Sequence, residues 1–318
     1  MKKITIKAIA FTSLVLLCGC DREQMELPIP NVKEEVIPVQ FTIDLRKEIL
    51  PFPGTKSIPP LNIPEPTPAR PASEGEATPD PEELYNRIDY IVYDDEQPDT
   101  PLKRKQFTPQ DADFTIVYDS LPAGNYHICF LAHQDPNIVI DGRTATFDNV
   151  YDTFHLYHPI AIQAGEQIIE DITLRRIVSK IEFVASDAVS AEAKQFTINV
   201  DGYPNQIDLS TGEGTAVHIP YQQTYLFKSE DVGKSGLSHA FFTFVPASSA
   251  TLSARLTTLD QQDEIRRERE VPDIQPLANY IIRYTGILYT PKTSDDTFTI
   301  DIVNDGAWEE TIDKEIEE

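Results

Sequence analysis

The sequence predicts an all-β fold, two β-sandwiches in tandem, and three observations carry that expectation. Short apolar runs recur about every ten residues with turn signals between them, the spacing of sandwich strands. The chain is rich in Pro (25) and poor in Gly (13), which suits sheet edges and loops better than a nucleotide-binding α/β fold. No helical period persists long enough to indicate a major helix. At roughly 100–200 residues per domain, the 318 residues suit two domains.

Val36 to Leu45 opens the series, with Val39, Phe41, Ile43 and Leu45 on one face. Pro51 to Pro81 then holds ten prolines in 31 residues and can neither pair in a sheet nor form a helix, so it is expected as an extended loop. Strands resume at Ile88–Tyr93, Phe114–Tyr118, Gly124–Ala132, His155–Ile162 and Ile168–Leu174. Pro122-Ala-Gly124 supplies the turn before the third of these. A second series runs through Lys180–Ala185, Phe196–Asp201, Ala216–Pro220, His239–Val245, Thr251–Leu259, Glu264–Val271, Asn279–Tyr289 and Thr297–Val303. The expected organisation is a leader over 1–19, a polar tether over 20–35, an N-terminal sandwich over 36–175, a C-terminal sandwich over 176–308 and an acidic tail over 309–318. The two halves show no recognisable sequence repeat.

The leader has its own logic. Lys2, Lys3 and Lys7 precede the apolar run Ile9–Leu17, which is too short to span a bilayer and reads as an export signal. Leu17-Cys18-Gly19-Cys20 resembles the lipobox of bacterial lipoproteins, which places cleavage between Gly19 and Cys20 and lipid on the Cys20 thiol. An ordinary signal peptide that happens to carry a Cys is the alternative. Acyl chains gain about 0.8 kcal/mol per buried methylene, so a multiply acylated Cys20 would hold firmly to a membrane. Asp21, Arg22 and Glu23 resemble the acidic surface-export signals of Bacteroidia lipoproteins. Cys18 would leave with the leader. Cys129 would then be the remaining thiol, and no intrachain disulfide is expected.

Composition also limits function. With 52 acidic and 27 basic residues the formal charge is −25, which repels phosphate backbones and argues against nucleic-acid binding. Dinucleotide, phosphate-loop, zinc-protease and serine-elbow motifs are missing, so no catalytic residue, metal or cofactor is expected. His155 and His158 lie three apart, on opposite faces of a strand, and cannot chelate one ion. His127 and Cys129 share a face, but two ligands do not make a site, and Cys129 reads as a small core residue. Asp94, Asp95, Glu96 and Asp99 lack the ordered spacing of a calcium loop and read as solvated, as do Asp295 and Asp296. Arg266-Arg-Glu-Arg-Glu270 reads as an edge strand guarded by charge. Asp119-Ser-Leu121 fits the minimal O-glycosylation pattern of Bacteroidia, and chance explains so short a match equally well. Trp308 reads as a cap on a core.

Five features together resemble the Bacteroidia fimbrillin superfamily of type V pilus proteins, above all its FimB/Mfa-like group of lipoprotein subunits and anchors. They are the lipobox at Cys20; an N-terminal strand followed by Thr55-Lys-Ser57, where relatives often carry Thr-Arg; Leu121-Pro-Ala-Gly-Asn-Tyr126; Leu174-Arg-Arg-Ile-Val-Ser-Lys-Ile181; and Leu277-Ala-Asn-Tyr280. The resemblance implies two transthyretin-like sandwiches, a place in the fimbrium on the outer membrane, and other fimbrial subunits as partners. It further implies joining by β-strand addition after an arginine-specific protease removes the first strand of shaft subunits, whereas anchors keep both strand and lipid. Candidate processing sites are Arg46, Lys56 and Arg70. Arg70 is followed by Pro71, and Lys56 stands where relatives have Arg, which favours an anchor or accessory subunit supporting adhesion. The reading from another class is a surface glycan-binding lipoprotein. It would need a platform of exposed aromatics, and most of the 13 Tyr fall inside strand runs.

Overall fold

The computed structural model describes residues 36–45, 84–112, 114–215, 219–248, 250–291 and 298–303. In the first half the strands are β1 (Val36–Asp44), β2 (Arg87–Asp94), β3 (Gln97–Phe107), β4 (Ile116–Pro122), β5 (Gly124–His133), β8 (Phe154–Ile162), β9 (Ile168–Thr173) and β10 (Arg175–Arg176). They form a three-stranded sheet, β4-β1-β9, and a five-stranded sheet, β10-β8-β5-β2-β3. Alternation places Ile37, Val39, Phe41 and Ile43 of β1 in a core shared with Tyr90, Val92, Ile128 and Phe130 of the larger sheet. The chain is all-β and sandwich-like, as the strand spacing predicts.

The second half holds β11 (Val178–Ala185), β12 (Ala193–Tyr203), β14 (Ile219–Leu226), β15 (Ser238–Phe244), β16 (Leu252–Asp260), β17 (Ile265–Ile274), β18 (Ile281–Gly286) and β19 (Thr299–Val303). Its sheets are β15-β11-β18-β19 and β14-β12-β16-β17. A topological repeat emerges here that the residues do not reveal. β1 is antiparallel to β4 and parallel to β9; β11 is antiparallel to β15 and parallel to β18. The order β3-β2-β5-β8 reappears as β14-β12-β16-β17. Cores constrain only which face is apolar, so two sequences can share the path without sharing residues.

The larger sheet of the first half is buried on both faces. Tyr90, Val92, Ile128 and Phe130 enter the first core, while Ile91, Tyr93, Cys129 and Leu131 enter the second with Val178, Ile207, Leu209 and Phe244. Such strands read as continuous apolar runs, which is how Ile88–Tyr93 and His127–Ala132 appear in the sequence. Between β5 and β8 lie β6 (Val139–Asp141) and β7 (Thr144–Thr146), and β13 (Gln206–Asp208) pairs with β7. This small sheet ties the two halves together.

Buried charge in the larger sheet is internally satisfied. Asp89 and His133 are fully buried, 2.8 Å apart, and Arg104 Nε and Gln106 Nε2 donate to the same carboxylate at 2.8 and 3.1 Å. Burial pushes the Asp89 carboxyl up, but His133 and Arg104 outweigh it and hold the group below its ordinary range.

Strand β3 is a correction to the sequence reading, which left 97–107 unassigned. Its Pro98, Pro101, Lys103, Arg104 and Lys105 suppress any apolar signal, yet it is an edge strand, where proline and charge are tolerated. The run expected at 216–220 becomes β14, beginning at Ile219 and extending to Leu226. Arg266–Glu270 does lie on an edge strand, β17, although Arg267 turns inward and is 4% exposed.

Candidate strand-acceptor site

The site is the seat of β1. In register with β4, Val36 to Thr42 meet Pro122 to Ile116; on the other side Val39 to Asp44 meet Ile168 to Thr173 of β9. Pro38 precedes Val39, where β9 pairing begins, so it falls where β1 has a single neighbour and a missing N–H is harmless. Phe41 is fully buried, with ring centroids 5.4 Å from Phe130 in an edge-on contact and 6.1 Å from Tyr90. Leu45, just past the strand, packs on the same core. β4 and β9 are joined only through β1, so its departure would leave a slot two strand spacings wide, about 9–10 Å, floored by Tyr90, Val92, Ile128 and Phe130.

The far side of β4 is closed. Lys103 and Lys105 of β3 reach Asp119 at 2.8 and 3.2 Å, Tyr90 Oη donates to Asp119 at 3.1 Å, and Lys105 Nζ donates to the Tyr118 carbonyl at 3.3 Å. Burial pushes the Asp119 carboxyl up, but the lysines and the Ser120 N–H hold it below its ordinary range. In the Asp119-Ser-Leu121 pattern, Ser120 is exposed, Asp119 is committed to the lysines and Leu121 is core.

Three of the family-like sequence motifs become structural parts. Leu121–Tyr126 is the tight β4-to-β5 turn, where Tyr126 Oη donates to the Pro122 carbonyl at 3.2 Å and a side chain at Gly124 would meet the Tyr126 ring. The motifs at 174–181 and 277–280 touch each other. Arg176 donates to both oxygens of Asp152 at 2.7 and 2.8 Å and to Asn279 Oδ1 at 2.9 Å, and its guanidinium lies 4.8 Å from the Phe154 ring centre. Asn279 adopts φ 66°, a left-handed conformation that Asn tolerates, and its N–H donates to the Val178 carbonyl. Burial drives the Asp152 carboxyl above its ordinary range despite Arg176. Asp152 gave no signal in the sequence, being one acid in a Tyr-Asp-Thr loop.

Other singled-out residues fall into ordinary roles. Cys129 is fully buried, with its Sγ 3.9 Å from the Leu209 carbonyl, and burial pushes its thiol far up. His155 is buried and donates through Nε2 to the same carbonyl at 2.8 Å, whereas His158 sits on the other face, 3.2 Å from Glu170. His127 stacks on Tyr157 at 4.9 Å and faces Asp95 at 3.5 Å. Gly19, Cys20, Arg46, Lys56, Arg70, Asp295, Asp296 and Trp308 lie outside the described residues.

A sequence profile of the family described as fimbrillin-A associated anchor proteins Mfa1 and Mfa2 matches residues 87–314. The chain belongs to this family. It is a fimbrial protein of the cell surface, in line with the resemblance read from its motifs. Comparison with curated proteins finds no match. Among solved structures, the fimbrial anchor protein Mfa2 from Porphyromonas gingivalis is 12% identical, with 84% of this chain and 97% of that one covered and a TM-score of 0.49. A candidate adhesin from Bacteroides ovatus is 13% identical over 81% and 88%, with a TM-score of 0.48. The tip fimbrial protein Mfa3 from P. gingivalis is 10% identical over 69% and 93%, with a TM-score of 0.40. The profile match begins at Arg87, the first residue of β2, so β1 lies outside it.

Proposed function

We propose that the chain is a lipid-anchored anchor or accessory subunit of a type V pilus, held in the outer membrane by acylated Cys20 and joined to neighbouring subunits by β-strand addition. The observation that carries this reading is β1 itself. It is central in its sheet, paired on both sides, with four side chains in the core. A strand so seated is the natural built-in occupant of an acceptor slot, and main-chain hydrogen bonds along both sides would give affinity while the alternate apolar side chains give specificity. The Lys at 56 and the Pro after Arg70 favour its retention. We read 36–175 and 176–308 as two transthyretin-like domains meeting near Arg175–Arg176, with cleavage of the leader between Gly19 and Cys20.

Electron microscopy of cells and spent medium tests the anchor role through Cys20→Ser. Long filaments shed into the medium are expected. Filaments unchanged on the cells, with this protein alone lost from the membrane, would overturn it. Mass analysis of the surface-extracted protein tests strand retention. An acylated N-terminus at Cys20 is expected, and an unlipidated start at residue 47, 57 or 71 would show instead that the strand is removed as in a shaft subunit.

A further inference from the structure

Among the described residues every sheet has outer strands, and nearly all of them are guarded. β3 carries Pro98, Pro101, Lys103, Arg104 and Lys105. β17 carries six charged residues, Arg266 to Glu270 and Asp273, together with Pro272. β4 is closed by Lys103 and Lys105, β9 carries Glu170 and Asp171, and β19 carries Asp301. β15 has no acidic or basic side chain apart from His239, but tyrosine hydroxyls cover it: Tyr225 Oη donates to the Ala240 carbonyl at 3.1 Å and Tyr203 Oη to the Phe242 carbonyl at 3.0 Å. Lysines, acids and proline on an edge discourage pairing with another chain.

β14 is the least guarded, with Pro220 near its start as the one residue of this kind. Its sequence, Ile219-Pro-Tyr-Gln-Gln-Thr-Tyr-Leu226, contains no charge in a chain whose formal charge is −25, and its single proline is at the second position. Among the described residues no strand pairs with its outer side. Tyr221, Gln223 and Tyr225 turn inward and are fixed there, Tyr221 by its hydroxyl donating to Gln223 Oε1 at 2.9 Å and Tyr225 by its bond to β15. Pro220, Gln222, Thr224 and Leu226 face solvent, and Leu226 is 67% exposed.

The strand also reads nearly the same in both directions about Gln223. Two copies laid antiparallel on that centre place Tyr221 opposite Tyr225, Gln222 opposite Thr224, and Pro220 opposite the exposed Leu226. Such self-complementarity is what a two-fold interface requires, since the same patch serves both subunits. The neutrality of β14 lets two strongly acidic molecules meet here without setting like charges face to face. We propose that β14 is a homotypic docking edge: it pairs antiparallel with β14 of a second copy about Gln223 and joins the two β14-β12-β16-β17 sheets into one continuous sheet.

The test is sedimentation velocity of the full-length chain in excess detergent, with protein concentration raised over two decades. A reversible dimer is expected. Gln222→Lys with Thr224→Lys sets lysine opposite lysine at two places and should weaken the dimer roughly tenfold, the size expected for two like-charged cross-strand pairs. Gln222→Glu with Thr224→Lys sets opposite charges at the same two places and should restore wild-type affinity to within a few fold. Both variants alter solvent-facing side chains and give up the 3.2 Å hydroxyl contact of Thr224 with Thr197 alike, so equal thermal unfolding of the two variants verifies the fold. A chain that stays monomeric throughout, a dimer indifferent to the double-lysine change, or a failure of the Glu/Lys variant to recover would each overturn the proposal.

Discussion

Phe41→Ala is the sharpest perturbation of the β1 seat. The ring is fully buried and contacts Phe130 edge-on at 5.4 Å and Tyr90 at 6.1 Å. Truncating a core Phe costs about 3–5 kcal/mol, and losing the edge-on pair adds roughly 1 kcal/mol. Among the described residues β1 pairs with β4 and β9 only, so the loss should fall on β1 as a unit. Hydrogen–deuterium exchange with mass spectrometry reads this directly. Peptides from β1 should lose protection by roughly a thousand- to ten-thousand-fold, since each 1.4 kcal/mol is a factor of ten. Peptides from β12 and β16, in the other core, should change far less. An equal loss in β1 and β16 would show that the strand does not open separately, and a loss under about tenfold would show that Phe41 does not hold the seat; either result refutes the reasoning.

Three further outcomes are expected. Arg176→Ala leaves Asp152 buried without its bidentate partner and should cost about 3–5 kcal/mol in urea unfolding, with Asn279 no longer tied to the junction. His155 and His239, both held to about 4 by burial, stay neutral in the fold while the unfolded chain takes up protons below about 6.5. Stability should therefore fall as pH drops from about 6.5 toward 4, by about 2 kcal/mol per histidine at pH 5, and replacing either by Gln should remove about half the slope. Gly212 sits at φ +76° with space for no side chain, as a Cβ would lie 2.8 Å from His155 Nδ1, so Gly212→Ala should lower stability by at least about 1–3 kcal/mol in the same assay.

The apolar strands were legible because burial imposes a pattern on them. Val36–Leu45 announced its inward face, and the two-sided strands β2 and β5 announced themselves as unbroken apolar runs. β3 and most of β14 were not legible, since an edge strand needs only one apolar face and fills the other with Lys, Gln or Pro. The motifs at 174–181 and 277–280 were visible one at a time. That Arg176 reaches Asn279 depends on a parallel pairing of β11 with β18, a long-range fact without a local signature. Asp152 completes that cluster from a loop whose composition says nothing. The repeat of strand order was hidden for the same reason: topology fixes faces and neighbours, and many residues satisfy the same face.

The central position of β1 has a kinetic consequence. Of the described strands β1 emerges earliest from the ribosome, yet Val39 must find Ile168, and the slot it fills does not exist until β9 has been made. Pairings of such long sequence separation form late and slowly. Until then Ile37, Val39, Phe41 and Ile43 stand as an alternating apolar segment with both hydrogen-bonding edges open, the state in which chains aggregate or pair with the wrong neighbour. The interval between synthesis of β1 and completion of β9 is thus the vulnerable period in the life of this chain, and a holding chaperone acting on its first strand would have most to protect there.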